Sequence, residues 1–545
     1  MRVDEVIFNG RVRTLDRSGS LARAIAVADG RIVAVGRDDE VLALASSSTK
    51  RIDVAGRTVL PAFVDTHTHL RRASLVLAYY IDFMAMRPSR LDDVLEAVRA
   101  RAAQLEDGAW IQGDSLDPRR LDVQRFPSRY ELDAVASGHP VVLRSVGRHV
   151  VAANSLALHL AGITKDTECP SGGRIERDEY GHPTGVLHER AKLRLDATRS
   201  DSVIPVPSEQ ERVAALSDTM ALLHSYGIAC VHEMAQEPND IGDYLRLREV
   251  GGLGVRVRFY IRGIEAQTKL EYVLGLGLRS EFGDEWIRLG GIKFSIDGSV
   301  DPHNAALYDD YPGEPGNTGL LRIEPSDLLN AVGAAHSAGL QVAIHAIGPR
   351  AVDIAMDACE AAARDRPSTG LHHRIEHAHL PLRSGQLERM AKLGLIWSTQ
   401  PAFLYEGAES WAEIFGEQRC QSTMPLKTAG MLGLRIQINS DYPNASINPF
   451  VGLQAAVSRT TERGNVFGAP EAIPIDTALR YMTNAAANST SLEGLQGSIV
   501  PGNFADVIVT EQDPYDVPAQ ELAGVEVAMT MVGGYVAYRR EGVSI

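Results

Sequence analysis

Between residues 60 and 443 one pattern recurs: a short apolar, β-branched run followed by a stretch long enough for a helix. The runs are LPAFVDTHTHL (60–70), IACVHEMA (228–235), VRVRFYIRG (255–263), IRLGGIKFSIDGS (287–299), LQVAIHAIG (340–348), HHRIEHAHL (372–380), LIWSTQP (395–401) and LRIQINSDYP (434–443). Segments such as PSDLLNAVGAAHSAG (325–339) separate them. PSEQERVAALSDTMALLHSYG (207–227) opens on a Ser208-x-x-Glu211 capping box and stops at Gly227, as a helix should. Eight strand–helix units predict an α/β chain folded as a (β/α)8 TIM-type barrel. Residues of about 80–205 interrupt the count between the first and second strands. They are expected to form an inserted, lid-like subdomain. Both chain ends are rich in strand-turn-strand signals. EVIFNGRVRTL (5–15) and AIAVADGRIVAVG (24–36) carry Asn-Gly and Asp-Gly hairpin signals, and GSIVPGNFADVIV and VAMTMVGGYVAYRR near the other end look alike. The expected division is a β-sandwich from 1–60 plus 488–545, and a barrel over 61–487.

Bulk properties exclude several classes. The formal charge of −15 argues against non-specific binding to nucleic acid or anionic membranes. No apolar run reaches the length of a membrane span, and the charged start MRVDEVIFNGRVR does not read as a signal peptide. Cys169, Cys230, Cys359 and Cys420 form no C-x-x-C pair, which fits buried thiols in a reducing cytoplasm. The expected partner is a small molecule.

Alternation then sorts the polar residues in the strands. His67 and His69 are two apart, so they share a strand face. If Ile292, Phe294 and Ile296 pack outward on helices, then Gly291, Lys293 and Ser295 point into the barrel. The same parity turns His345 inward beside outward Val342 and Ile344. Asp441 falls on the face of Gln437 and Asn439, opposite Ile436 and Ile438. His377 lies near the carboxyl end of its strand. Each candidate sits late in its run, at the barrel face that carries chemistry in this architecture. Each also has a plain structural reading: a hydrogen-bonded barrel histidine, or a turn aspartate at 441. An inward lysine is harder to explain that way, because a buried ammonium needs a partner or a lowered pKa.

H-x-H on the first strand, lysine on the fourth, histidines on the fifth and sixth, and aspartate on the eighth resemble the amidohydrolase superfamily. Within it the chain is similar to the YtcJ-like branch, whose members include N-substituted formamide deformylases. The matching stretches are FVDTHTHL, WIQGDSLD, NSLALHLAGI, GHPTGVLHERA, IKFSIDGS, HAIGPRAVD, HRIEHA and NSDYP, which run along the whole chain. PAFVD stands where Pro-Gly is commoner, and Asn439 where glycine is frequent; neither departure removes a ligand.

The resemblance implies a zinc site, or one for another divalent metal, holding one or two ions. In the two-ion form His67, His69 and Asp441 hold one ion, His345 and His377 the other. Lys293, carrying a CO2-derived carbamate, bridges them, because an ammonium cannot ligate a cation. The implied activity is hydrolysis of a carbon–nitrogen bond in an amide, formamide or cyclic amide by metal-activated hydroxide. Asp441 serves as general base and acid, and His232 or His149 helps to stabilise the oxyanion. His149, Asn154, Trp110 and His379 could reach a substrate or equally brace the structure, and Asp297 could cap a loop. Family habit implies a homodimer. The alternatives are a mononuclear deaminase, an ester or lactone hydrolase, a lyase or isomerase on the same barrel, and a catalytically silent binding protein. Deaminases of this superfamily tend to place a glutamate three residues after the fifth-strand histidine; here that position is Gly348.

Overall fold

The computed structural model describes residues 2–148, 150–170, 173–195, 202–235, 239–265, 268–367, 370–490, 494–543 and 545. It divides into two compact units, one of residues 1–69, 220–235 and 248–545, the other of 70–219 and 236–247.

The first unit contains a sheet of eight strands in chain order: β1 (Phe63–Thr68), β2 (Ile228–Glu233), β3 (Arg256–Arg262), β4 (Ile287–Ser295), β5 (Gln341–Ala346), β6 (Arg374–His377), β7 (Ile396–Thr399) and β8 (Arg435–Ile438). Every neighbouring pair is parallel. Beyond the ladder, Asp441 N–H donates to His67 O at 2.9 Å and His69 N–H to Tyr442 O at 2.8 Å, drawing β8 against β1. The sheet is therefore a nearly closed parallel barrel, as the eight repeats predict. The Ser208–Glu211 capping box opens the helix Glu209–Ser225 that leads into β2: Ser208 N–H donates to the Glu211 carboxylate at 2.7 Å, and Glu211 N–H to Ser208 Oγ at 3.3 Å.

Two further sheets of this unit use the chain ends. One orders Arg31–Gly36, Ala24–Ala28, Glu5–Phe8 and Lys50–Asp53; the other orders Tyr535–Arg539, Val527–Val532, Val507–Thr510, Thr58–Pro61, Arg11–Arg13 and Leu21–Ala22. Strand 58–61 runs antiparallel to 507–510, so both ends of the chain share one sheet. Ile7, Ile25 and Val27 of the first sheet pack in one core with Val59, Val507 and Met529 of the second. The Asp29-Gly30 turn closes a hairpin with both residues at positive φ, as a two-residue turn of this kind requires. The Asn9-Gly10 signal misleads. Strands 5–8 and 11–13 lie in different sheets, and the dipeptide carries the chain between them. Gly10 is packed in that gap: a Cβ there would lie 3.0 Å from Val54 Cγ2 and 3.1 Å from Val59 Cγ2.

The second unit has its own six-stranded mixed sheet, ordered Gly173–Arg177, Pro183–Glu189, Val150–Ala153, Val141–Ser145, Ile111–Leu116 and Ile81–Asp82. Asp243, on helix Asp240–Glu249, accepts from Arg71 Nε of helix Leu70–Tyr79 at 2.7 Å and from Arg212 at 2.8 Å through both oxygens. Among the described residues no helix is long and apolar enough to cross a membrane.

A candidate metal centre at the carboxyl ends of the strands

His67 ends the inward row of β1. Its Nδ1 lies 2.5 Å from Glu376 Oε2. A carboxylate only accepts, so Nδ1 carries the hydrogen and Nε2 keeps its lone pair. That lone pair faces Lys293 Nζ at 3.4 Å and Asp441 Oδ1 at 3.5 Å. His377 Nδ1 donates to Gln400 Oε1 at 3.0 Å, again leaving Nε2 as the acceptor. His345 is turned the other way round: Nε2 donates to Gly298 O at 3.0 Å, so Nδ1 keeps the lone pair. Its ring centroid is 4.5 Å from that of His377, and His377 is 5.0 Å from His67. Three imidazoles thus have their N–H groups committed to outside partners.

Ligand atoms of His67, His377 and Asp441 all lie within 4.8 Å of one another. Asp441 Oδ1 is buried with no hydrogen bond of good geometry and stands 3.3 Å from His69 Nε2. Convergent lone pairs beside an orphaned carboxylate oxygen fit a divalent cation with mixed nitrogen and oxygen ligands. This closest triple draws members from both of the ligand sets implied by the resemblance. Lys293 touches it through His67, His69 through Asp441, and His345 through the His377 ring.

The charges follow from burial. Desolvation, with Lys293 nearby, holds His67, His345 and His377 well below the ordinary histidine pKa, so they are neutral. Desolvation also pushes Lys293 down to about 8. Burial works against ionising Asp441, but His67 and His69 outweigh it and hold the carboxyl well below its usual range. The backbone is strained at the same places. His377 has φ 71°, Ala378 46° and Asp441 56°, left-handed values that non-glycine residues seldom adopt. Trp397 Nε1 donates to His377 O at 2.8 Å and fixes the first of these turns.

Sequence reasoning passed over two residues directly under the cluster. Arg374 and Glu376 alternate inward on β6, and neither is exposed. Arg374 donates to Glu376 Oε1 at 2.6 Å and Oε2 at 3.0 Å, to Thr66 O at 2.7 Å and to Ser398 Oγ at 3.2 Å. Two charged residues in a central barrel strand were themselves the signal, by the argument applied to Lys293.

The other expected residues divide as follows. His232 is fully buried but outside the triple. Its Nδ1 lies 3.0 Å from Arg374 Nη1, and its ring stacks on Tyr260 at 5.8 Å. Arginine only donates, so His232 Nε2 bears the hydrogen, and that atom has no partner. His149 lies outside the described residues. Asn154 braces the second unit, capping helix Ser155–Leu160 and bonding Val141 N–H and His139 O. Trp110 is half-buried against an apolar core of that unit. Asp297 holds a loop: its carboxylate accepts from Ala306 N–H at 2.9 Å, Ile347 N–H at 3.0 Å and Gly348 N–H at 2.8 Å. His379 packs on Trp411.

A parallel barrel with histidine and aspartate ligand atoms gathered at the carboxyl ends of its strands defines a metal-dependent barrel enzyme by its form. Comparison with known proteins agrees, the amidohydrolase family profile matching residues 50–538. The chain belongs to the amidohydrolase family. It is 31% identical to the N-substituted formamide deformylase of Arthrobacter pascens, over 99% of each chain. It is 27% identical to the putative amidohydrolase YtcJ of Bacillus subtilis, over 97% of this chain and 98% of that one. An uncharacterised metal-dependent hydrolase from Pyrococcus horikoshii superposes with a TM-score of 0.76 at 26% identity, covering 94% of this chain and 99% of the other.

Proposed function

We propose that the protein hydrolyses a carbon–nitrogen bond in a small uncharged amide, with N-substituted formamides first among the classes to try. The observation that carries this reading is the convergence of neutral imidazole lone pairs on the orphaned Asp441 oxygen. The relative from Arthrobacter pascens supports the choice of bond. His67, His69 and Asp441 would hold one zinc or other divalent ion, and His345 and His377 a second. A bound divalent ion supplies Lewis acidity and lowers the pKa of water from about 15.7 toward about 7. Lys293 in its ammonium form repels such ions. Its neutral amine could instead take up CO2, forming an N–C bond and releasing one proton, and Lys293 would then supply an anionic oxygen ligand in place of the ammonium.

Asp441 would take a proton from the attacking water and return it to the leaving nitrogen. His232, fixed by Arg374 with hydrogen on Nε2, is a neutral donor suited to a developing oxyanion, and His149 is retained in the same role. The deaminase alternative has no room for its glutamate. A Cβ at Gly348 would stand 2.0 Å from Ala306 O.

Metal content, measured together with turnover of a panel of N-substituted formamides, amides and esters, tests the reading. Asp441→Asn is expected to lower kcat by about 10²–10⁴ with the barrel intact by circular dichroism. Full turnover after exhaustive chelation, or an Asp441→Asn variant as active as the parent, would refute it.

A further inference from the structure

His379, two residues beyond the end of β6, is a buried imidazole with an unmatched nitrogen. The residue is 3% exposed, and its Nδ1 has no hydrogen-bond partner. Its ring lies flat on Trp411, with centroids 4.8 Å apart at 8°. Phe403 meets it edge-on at 5.5 Å and 74°, and His377 at 6.3 Å and 83°. Trp411 and half-buried Phe403 both come from helix Pro401–Phe415, which follows β7, and Phe403 also lies over the His377 ring at 6.4 Å. A helix thus presses an aromatic wall against the candidate metal centre, and His379 is the polar member of that wall.

Packing alone does not explain a histidine here. Phenylalanine would give the same stack on Trp411 without leaving a buried nitrogen unpaired, and such an atom calls for an explanation in a folded protein. The rings packed around it are aromatic, which suits an uncharged ligand.

We propose that His379 is a substrate-recognition residue, its Nδ1 hydrogen-bonding the polar end of an uncharged amide whose apolar substituent lies against Phe403. This rests on the carbon–nitrogen reading above for the kind of substrate, but its test does not depend on turnover. The binding probe is N-(2-phenylethyl)urea, which resists hydrolysis, titrated calorimetrically into the metal-loaded protein. The turnover probe is N-(2-phenylethyl)formamide. The variants are His379→Phe, which keeps the stack, and His379→Asn, which returns an amide near the position of Nδ1.

His379→Phe is expected to melt no lower than the parent and to keep its metal content. It should bind the urea about tenfold more weakly, as loss of one hydrogen bond implies. KM for the formamide should rise by a similar factor while kcat changes less, and His379→Asn should recover part of the affinity. Equal binding of the urea by the parent and His379→Phe overturns the inference, and so does failure of the parent to bind it. Binding that depends on His379 with no hydrolysis of the formamide upholds the inference and refutes the carbon–nitrogen reading alone.

Discussion

Glu376→Gln is the sharpest perturbation of the site that leaves every expected ligand in place. Glu376 Oε2 takes the His67 Nδ1 hydrogen at 2.5 Å, while Arg374 holds both carboxylate oxygens at 2.6 and 3.0 Å. Glutamine keeps the shape but offers one oxygen and one NH2 where two anionic oxygens stood. Either Arg374 or the His67 N–H then faces a donor. Charge-assisted hydrogen bonds are worth about 1.5–3 kcal/mol each, and breaking a buried ion pair costs about 3–5 kcal/mol. Arg374 enters both terms, so they overlap and the expected loss of stability is about 3–5 kcal/mol. Metal affinity should fall by about 10–100-fold, because His67 loses the partner that sets its tautomer. The pH sign is fixed as well. Burial opposes ionisation of Glu376, but Arg374 and Lys293 outweigh it and depress its pKa in the fold. Its contribution is therefore present above the unfolded value of about 4.3 and is lost as pH falls through the folded one. The stability gap between parent and variant should narrow below about pH 4. Competition for zinc with a coloured chelator reads the affinity, and denaturant unfolding of the chelated protein reads stability apart from the metal. A variant that binds zinc like the parent and unfolds at the same denaturant concentration would refute the argument that Glu376 and Arg374 orient His67.

Two further outcomes follow from buried groups away from the site. Val342 N–H donates to His373 Nδ1 at 3.1 Å, which leaves His373 Nε2–H to donate to His336 Nδ1 at 2.8 Å, and His336 Nε2–H to Arg366 O at 2.7 Å. This chain works only with His373 neutral; burial, with His336 and His372 nearby, pushes its pKa down to about 3. The unfolded state binds the proton first, so stability should fall as pH drops from about 6.5 toward 3, by up to about 1.4 kcal/mol per pH unit, and His373→Gln should remove that one-proton slope from urea unfolding curves. Asp506 ties β3 to the sheet of the chain ends, accepting from Arg256 at 2.8 and 3.2 Å and from Gly533 N–H at 2.7 Å. Asp506→Asn should cost about 3–5 kcal/mol in denaturant unfolding while turnover per folded molecule stays unchanged.

The barrel and most of its polar interior were legible because alternation is a rigid rule in a strand. Once Ile292 and Phe294 face helices, Lys293 has nowhere to point but inward, and the same holds for His345. What alternation does not give is the partner that each imidazole takes outside the cluster. Gln400 follows β7, beside His377 on β6; Gly298 follows β4, beside His345 on β5; and Glu376 on β6 meets His67 of β1 across the barrel interior, so each partner comes from another strand. Arg374 and Glu376 were within reach of the reasoning used for Lys293, each being a charged side chain turned inward on a central strand. Asn9-Gly10 failed for a different reason. A local turn signal cannot tell a hairpin from a crossing between two sheets, since the difference lies in which distant strands pair on either side.

The strained backbone joins these observations. β8 ends at Ile438, and beyond it Asp441 N–H on His67 O, His69 N–H on Tyr442 O, and the Ser440 N–H and hydroxyl on the Asp65 carboxylate join it to β1. By contrast, β7 and β8 pair through four residues each. The seam of the barrel is thus thin in backbone pairing, and the backbones of His67, His69 and Asp441, whose side chains belong to the candidate metal centre, take part in it. Asp441 makes that join from a left-handed conformation that costs about 1–3 kcal/mol. An extended residue there would continue the strand, but it would aim the carboxylate elsewhere. Strain at Asp441 is therefore the expected signature of a position selected for where its carboxylate points, and His377 shows the same signature at the end of β6.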